Sequence, residues 1–329
     1  MPIDPVLAMY SDRLFLGAVA IYVVAMFLYA VEFVGTRASV RTPALVGATS
    51  DGSATTTADG TVDATGGDAP AEPPAGDAVA KRSRADRFGR MAVAVTVVGA
   101  LVHLASIVMR GLATERWPLG NMYEFSAAIC LAAVVCWLVV LRRSPALRPV
   151  GAFVLSAVFI LMFLGGTVLY AQAAPVVPAL QSYWLAIHVT TVTVASGLMM
   201  VAGVASILYL LSRSGKAPGF VAKLPSTAAL DRLAYRVTVV GFPIYTFAVI
   251  AGAIWAESAW GRFWGWDPKE TVAFVAWVVY AAYLHARATS GWRTTPAAWI
   301  NVVGFATIVF NLFFINMVVA GLHSYAGLG

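Results

Sequence analysis

The sequence predicts an all-α polytopic membrane protein with about eight transmembrane helices and both termini outside, and three observations carry that prediction. Of the 329 residues, 60% are hydrophobic and 12% charged, whereas soluble domains run at about 45–50% and about 25%. The apolar residues fall into runs close to the roughly 20 that a helix needs to cross a bilayer. The basic residues sit in short clusters between those runs, the pattern that orients a membrane protein. The net charge of +6 is therefore not the footprint of a nucleic-acid binder.

The candidate spans are Leu14–Val34, Met91–Met109, Met122–Leu141, Val150–Tyr170, Leu185–Leu211, Val237–Ala256, Thr271–Ala288 and Ala298–Leu322. Backbone groups have no water partner in lipid, so a spanning segment is a helix or part of a closed barrel. These runs are too long for barrel strands of about 9–11 residues. With the N-terminus outside, only Arg13, Arg110, Arg116, Arg262 and Lys269 of the 22 basic residues fall outside, which satisfies the positive-inside rule. The first run follows Asp4 and Asp12 instead of a basic region, so it is expected to be a retained helix and not a cleaved signal peptide.

Three regions follow: a first transmembrane helix in 1–35, a disordered cytoplasmic linker in 36–90, and a seven-helix membrane domain in 91–329. Gly47 to Ala80 is almost entirely Ala, Gly, Thr, Asp, Ser and Pro, which cannot bury enough apolar surface to offset ordering entropy. It ends in Lys81-Arg82-Ser83-Arg84, expected to be a topology anchor against anionic lipid. Cys130 and Cys136 share one apolar run and point about 120° apart on a helix, so they are expected to stay unpaired. Neither belongs to a C-x-x-C-H motif, so the chain does not itself carry covalent haem.

The chemistry concentrates in residues 255–270, WAESAWGRFWGWDPKE. Trp255, Trp260, Trp264 and Trp266 are four of the chain's ten tryptophans. An aromatic belt would spread such residues over many helix ends; here they fall in one segment, placed by the topology in an external loop. Asp267, Pro268 and Glu270 have the spacing of a helix start, with an N-cap, a proline at the first position and a capping carboxylate three residues on. The tryptophans before that cap are expected to form an outward-facing shelf suited to a large, flat, apolar ligand with polar edges.

This segment resembles the WWD motif of the haem-handling superfamily that serves cytochrome c biogenesis, and within it the CcsA/ResC type of system II, often labelled CcsB in actinobacteria. Two further elements are similar to that type: Trp117-Pro118-Leu119-Gly120-Asn121-Met122-Tyr123-Glu124, matching a P-L-x-N-x-Y-E loop, and Gly321-Leu322-His323-Ser324-Tyr325-Ala326. The resemblance covers roughly residues 90–329. It implies a subunit of a holocytochrome c synthase in the cell membrane that handles haem b. It also implies a ResB/Ccs1-type membrane subunit, apocytochrome c and a thioredoxin-like thiol reductant as partners.

The four histidines are His103, His188, His285 and His323. The topology places His188 near the external end of the fifth span and His323 just past the external end of the eighth, on the same side as the tryptophans. They are expected to be axial haem-iron ligands, with interfacial packing as the alternative for each. The resemblance matches them to two external histidines that bracket the WWD motif. It matches His285, near the cytoplasmic end of the seventh span, to a membrane histidine that holds haem in transit. Arg287 beside it is either a propionate partner or a positive-inside anchor. His103, in mid-span, either touches haem or makes a helix–helix hydrogen bond.

The function expected is haem export and presentation for covalent attachment to apocytochrome c. The alternatives are a b-type haem electron carrier of a respiratory complex, a transporter without haem, and a haem exporter subunit that loads a haem chaperone.

Overall fold

The computed structural model describes residues 3–35, 75–176 and 181–323. Among them are eight helices long and apolar enough to cross a membrane, and no strand. They are α1 (Pro5–Gly35), α2 (Ala75–Thr114), α3 (Met122–Arg143), α4 (Gly151–Thr167, entered through a 3-10 turn Pro145–Val150), α5 (Tyr183–Arg213), α6 (Thr227–Trp260), α7 (Pro268–Ala288) and α8 (Thr295–Phe310). After Phe310 the chain runs on through a π-helical turn, Asn311–Ile315, and a last turn, Asn316–Val318.

All eight expected spans are present, but three begin much earlier than expected: α1 at Pro5 instead of Leu14, α6 at Thr227 instead of Val237, and α2 at Ala75 instead of Met91. The expected linker to residue 90 is helical from Ala75. Residues 75–90 contain no proline and are rich in Ala, Lys and Arg, strong helix formers. The spanning segment behind them supplies the nucleus from which the helix extends. The rest of that linker, residues 36–74, and the side chains of Lys81, Arg82 and Ser83 lie outside the described residues.

α1 and α2 pack side by side along most of their length. Apart from Phe33, the buried positions of α1 are Ser11, Phe15, Ala18, Tyr22, Ala25, Tyr29 and Glu32, alternating four and three residues apart. On α2, apart from Ala100, the buried set Ala85, Gly89, Ala92, Thr96, Gly99, His103, Ser106, Arg110 and Ala113 repeats that alternation. A 3.5-residue period on both partners is the seam of two helices wound along each other. Small residues let the backbones approach: a Cβ on Gly99 would meet Tyr22 Cε1 at 2.7 Å.

α5 is the most buried span and packs along α6, α3 and α8. At its contact with α3, Gly197 faces the fully buried Ala133, while Cys130 and Trp137, also fully buried, belong to the other side of α3, where Cys130 Sγ lies 3.6 Å from Val158 O of α4. Both cysteines are free, as the spacing predicted.

Ion pairs tie both ends of the bundle. At the end where α2 meets α3, Asp12, Arg110, Arg116 and Glu124 form one cluster. At the other end Arg148 joins Glu32 and Asp86, and Arg287 joins Asp231 at 2.6 Å. Arg287 is thus engaged by the fold's own carboxylate.

Candidate functional site

The α6–α7 connection builds the site. α6 runs to Trp260 and stops at Gly261, whose φ of 71° is the left-handed conformation that ends helices. α7 starts at Asp267 as the sequence predicted. The Asp267 side chain accepts from Lys269 N at 3.2 Å, and Glu270 Oε2 accepts from Asp267 N at 3.1 Å, so the capping box is complete. The turn between them places Trp266 at φ 58°, a conformation that a bulky residue adopts only under constraint.

This geometry corrects the picture of one external tryptophan shelf. At this end the helix is one turn longer than the apolar run suggested, because Glu257 and Ser258 continue it at little cost. Trp255 and Trp260 therefore stand on α6, and Trp255 is buried at 2% exposure. Trp264 is half-buried, edge-on to Trp266 and Phe274. Trp266 points outward at 66% exposure.

Trp255, Trp260 and Trp264 line an open cleft. Its other walls come from Leu119, Asn121 and Met122 before and at the start of α3, from His188, Val189 and Val192 on α5, from Tyr245 and Val249 on α6, and from Asn311 and Leu312 in the π-helical turn. Such turns are frequent at functional sites. This one lets Asn311 Nδ2 donate to Lys269 O at 3.3 Å, tying α8 to the first turn of α7.

Two of the four histidines meet in this cleft. His188 lies parallel to Trp255, with centroids 6.0 Å apart and planes at 9°. His323 stands edge-on to Trp255 at 5.9 Å and to Trp260 at 5.1 Å. His188 Nδ1 is 2.8 Å from Ala248 O. A carbonyl only accepts, so Nδ1 carries the proton and Nε2 the lone pair. His323 Nδ1 is 2.8 Å from Asp267 Oδ2. Burial works against charge on Asp267, yet the N–H groups of His323, Leu322 and Lys269 hold its carboxyl at about 2. As a carboxylate it too only accepts. Burial also pushes the His323 imidazole below its ordinary value, more than Asp267 offsets, which favours the neutral ring. Two neutral imidazoles, each held at Nδ1 by an oxygen, are the arrangement that second-shell partners impose on metal-ligating histidines.

The other two histidines do not come to the cleft. His103 is fully buried in the α1–α2 seam, 3.4 Å from Tyr22 Oη and edge-on to Phe15. That is the helix–helix hydrogen bond weighed as its alternative. His285 is exposed near the far end of α7.

Two residues of the cleft carry roles that the sequence does not reveal. Lys269, which the sequence shows only as a member of the tryptophan segment and an external charge, lines the cleft from the first turn of α7. Gly252 faces His188 across the α5–α6 contact: a Cβ there would lie 2.6 Å from His188 Cε1 and 2.7 Å from Nδ1. No sequence signal singles it out, since its meaning depends on that packing. Gly252→Ala is expected to displace the His188 ring and lower ligand occupancy of the cleft at least about tenfold, while thermal unfolding shifts by only a few degrees. Spectral titration of the purified variant checks this.

A family model described as Cytochrome C assembly protein matches residues 119–323, which contain the end of the loop before α3, both cleft histidines and the α6–α7 connection. The chain belongs to this cytochrome c assembly family. The assembly protein is 34% identical over 266 residues to the cytochrome c biogenesis protein CcsA of Parasynechococcus marenigrum, covering 70% of this chain and 86% of that one. It is 43% identical over 155 residues to the CcsA of Chlamydomonas reinhardtii, covering 47% and 44%. Its fold is similar to that of the cytochrome c haem lyase CcmF, with a TM-score of 0.60 at 15% identity over 95% of this chain and 47% of that one. It is a multi-pass membrane protein that works in cytochrome c assembly.

Proposed function

We propose that the assembly protein holds haem b in this cleft, with His188 and His323 as the two axial ligands, and presents it for attachment to apocytochrome c. The observation that carries the reading is the matched pair of Nδ1 anchors, Ala248 O on His188 and Asp267 on His323, around one indole-lined cleft. The tryptophans supply flat apolar walls for the ring. Two imidazoles satisfy a six-coordinate haem iron.

The apocytochrome brings two thiols and a histidine in its C-x-x-C-H motif. Its histidine displaces one of this chain's imidazoles, and each thiol adds across a haem vinyl group. The S–H bond breaks, a C–S bond forms, and the proton goes to the other vinyl carbon, so the addition changes no net oxidation state. The thiols must arrive reduced, which calls for the thioredoxin-like reductant. A ResB/Ccs1-type membrane subunit completes the complex. His285, exposed near the opposite end of α7, is the inner haem contact of this reading, on the outside of the bundle where that subunit packs. The cleft then opens on the extracytoplasmic face of the plasma membrane, with both termini on that side.

The test is spectroscopic. The full chain, purified with its membrane partner from haem-replete cells, is expected to show a Soret band and the low-spin electron paramagnetic resonance signature of bis-imidazole ferric haem. A high-spin five-coordinate spectrum, or no bound haem, overturns the reading.

A further inference from the structure

Lys269 lines the cleft, and among the described residues no carboxylate lies within ion-pair distance of its ammonium. The two neighbouring acids are engaged elsewhere. Asp267 accepts from Leu322 N and His323 Nδ1, each at 2.8 Å, and from Lys269's own backbone N. Glu270 accepts from Arg262 Nη1 at 3.2 Å, Gly265 N at 2.9 Å and Asp267 N at 3.1 Å. Asn316 Oδ1 accepts one proton of the Lys269 ammonium, and an ammonium has three to give.

The side chain is also fixed in place. Its backbone belongs to the capping box on one side and accepts from Asn311 on the other. The surrounding walls are largely apolar, among them Leu185, Val189, Val249, Trp255 and Leu312. A cation held against such walls is costly when the nearest carboxylate, Asp267, lies beyond ion-pair distance and is already engaged by His323 and Leu322, and a bound anion relieves that cost.

We propose that Lys269 is a carboxylate subsite of the cleft, which in haem receives a propionate; the assignment rests on the haem reading above. The porphyrin carries both propionates on one edge and its vinyl groups on the other pyrroles. One fixed cation therefore sets the rotation of the ring about the His188–iron–His323 axis, and with it which way the vinyls face the incoming thiols. The histidines and indoles hold the ring's centre and faces; Lys269 selects its edge.

The test compares two porphyrins on the full chain purified haem-free in detergent: ferric protoporphyrin IX and its dimethyl ester, which lacks both carboxylates. Wild type is expected to bind the acid at least about tenfold more tightly than the ester, the usual worth of a charged hydrogen bond. In Lys269→Met the preference is expected to fall to about twofold or less, and Lys269→Arg is expected to restore most of it. Equal wild-type affinity for the two porphyrins, or a full preference retained in Lys269→Met, overturns the subsite and leaves the haem reading intact. No Soret band with either porphyrin overturns both. If Lys269→Met does not fold, the wild-type comparison together with Lys269→Arg still decides.

Discussion

The double variant His188→Ala, His323→Ala is expected to purify without a Soret band and to support no cytochrome c maturation. Loss of a second-shell partner alone costs about 10–100-fold in metal-site affinity, so loss of either ligand should cost at least about 100-fold in haem retention. The two rings are held by different parts of the chain. His188 is fixed by a main-chain carbonyl of α6 and stacks on Trp255. His323 lies beyond the last turn of α8 and is fixed by the cap of α7. Each single variant should therefore keep the other ring in place and yield a weak five-coordinate spectrum. His103→Ala serves as the control: its ring is sealed in the α1–α2 seam. It is expected to keep the cleft's spectrum. Wild-type haem content in the double variant would move the site away from this cleft.

The sequence made the cleft legible in some respects and not in others, and the division follows physical range. The cap at Asp267 could be read because Asp, Pro and Glu at that spacing satisfy local backbone donors, and local rules need no tertiary knowledge. The eight spans could be read because a bilayer imposes a length and a composition. The double use of Asp267 was not legible: its carboxylate caps α7 and also orients His323, 56 residues away in sequence. The split of the tryptophans was hidden for a related reason. Hydropathy ends a helix where polar residues begin, whereas α6 continues through Glu257 and Ser258 and turns Trp255 inward. The low-complexity composition that marks residues 47–80 as linker gives no sign that α2 already begins at Ala75.

The acid cluster at the start of α3 bears on the cleft through the wall it holds, and Glu124→Gln is the substitution that exposes this. Glu124 is 2% exposed and accepts from Arg110 Nε at 3.1 Å, from Arg116 at 2.8 and 2.9 Å, and from Gly120 N at 2.7 Å. Arg116 in turn donates to Trp117 O and Ala174 O at 3.0 Å each. One carboxylate thus pins the loop whose Leu119, Gly120, Asn121 and Met122 line the cleft. It also ties that loop to α2 through Arg110, which reaches Asp12 of α1 at 3.4 Å. Glutamine keeps an acceptor for Gly120 N but removes the charge, leaving the more distant Asp12 as the one carboxylate paired with the almost fully buried Arg110 among the described residues. Breaking one side of a buried ion pair costs about 3–5 kcal/mol, which corresponds to a fall in the unfolding midpoint on the order of 10 °C. Asp12→Asn is expected to cost much less, because the Asp12 side chain is 31% exposed and water takes up part of the loss. Thermal unfolding of the two variants in the same detergent measures the difference, and haem titration at a temperature where both are folded separates the wall from the fold. If Glu124 only stabilises the bundle, haem affinity of the folded variant equals wild type; if it positions the wall, affinity falls in Glu124→Gln and holds in Asp12→Asn. The expected result is the second, since Gly120 and Asn121 belong to the cleft, while Asp12 accepts from Arg110, Tyr123 and Tyr170, none of which lines it.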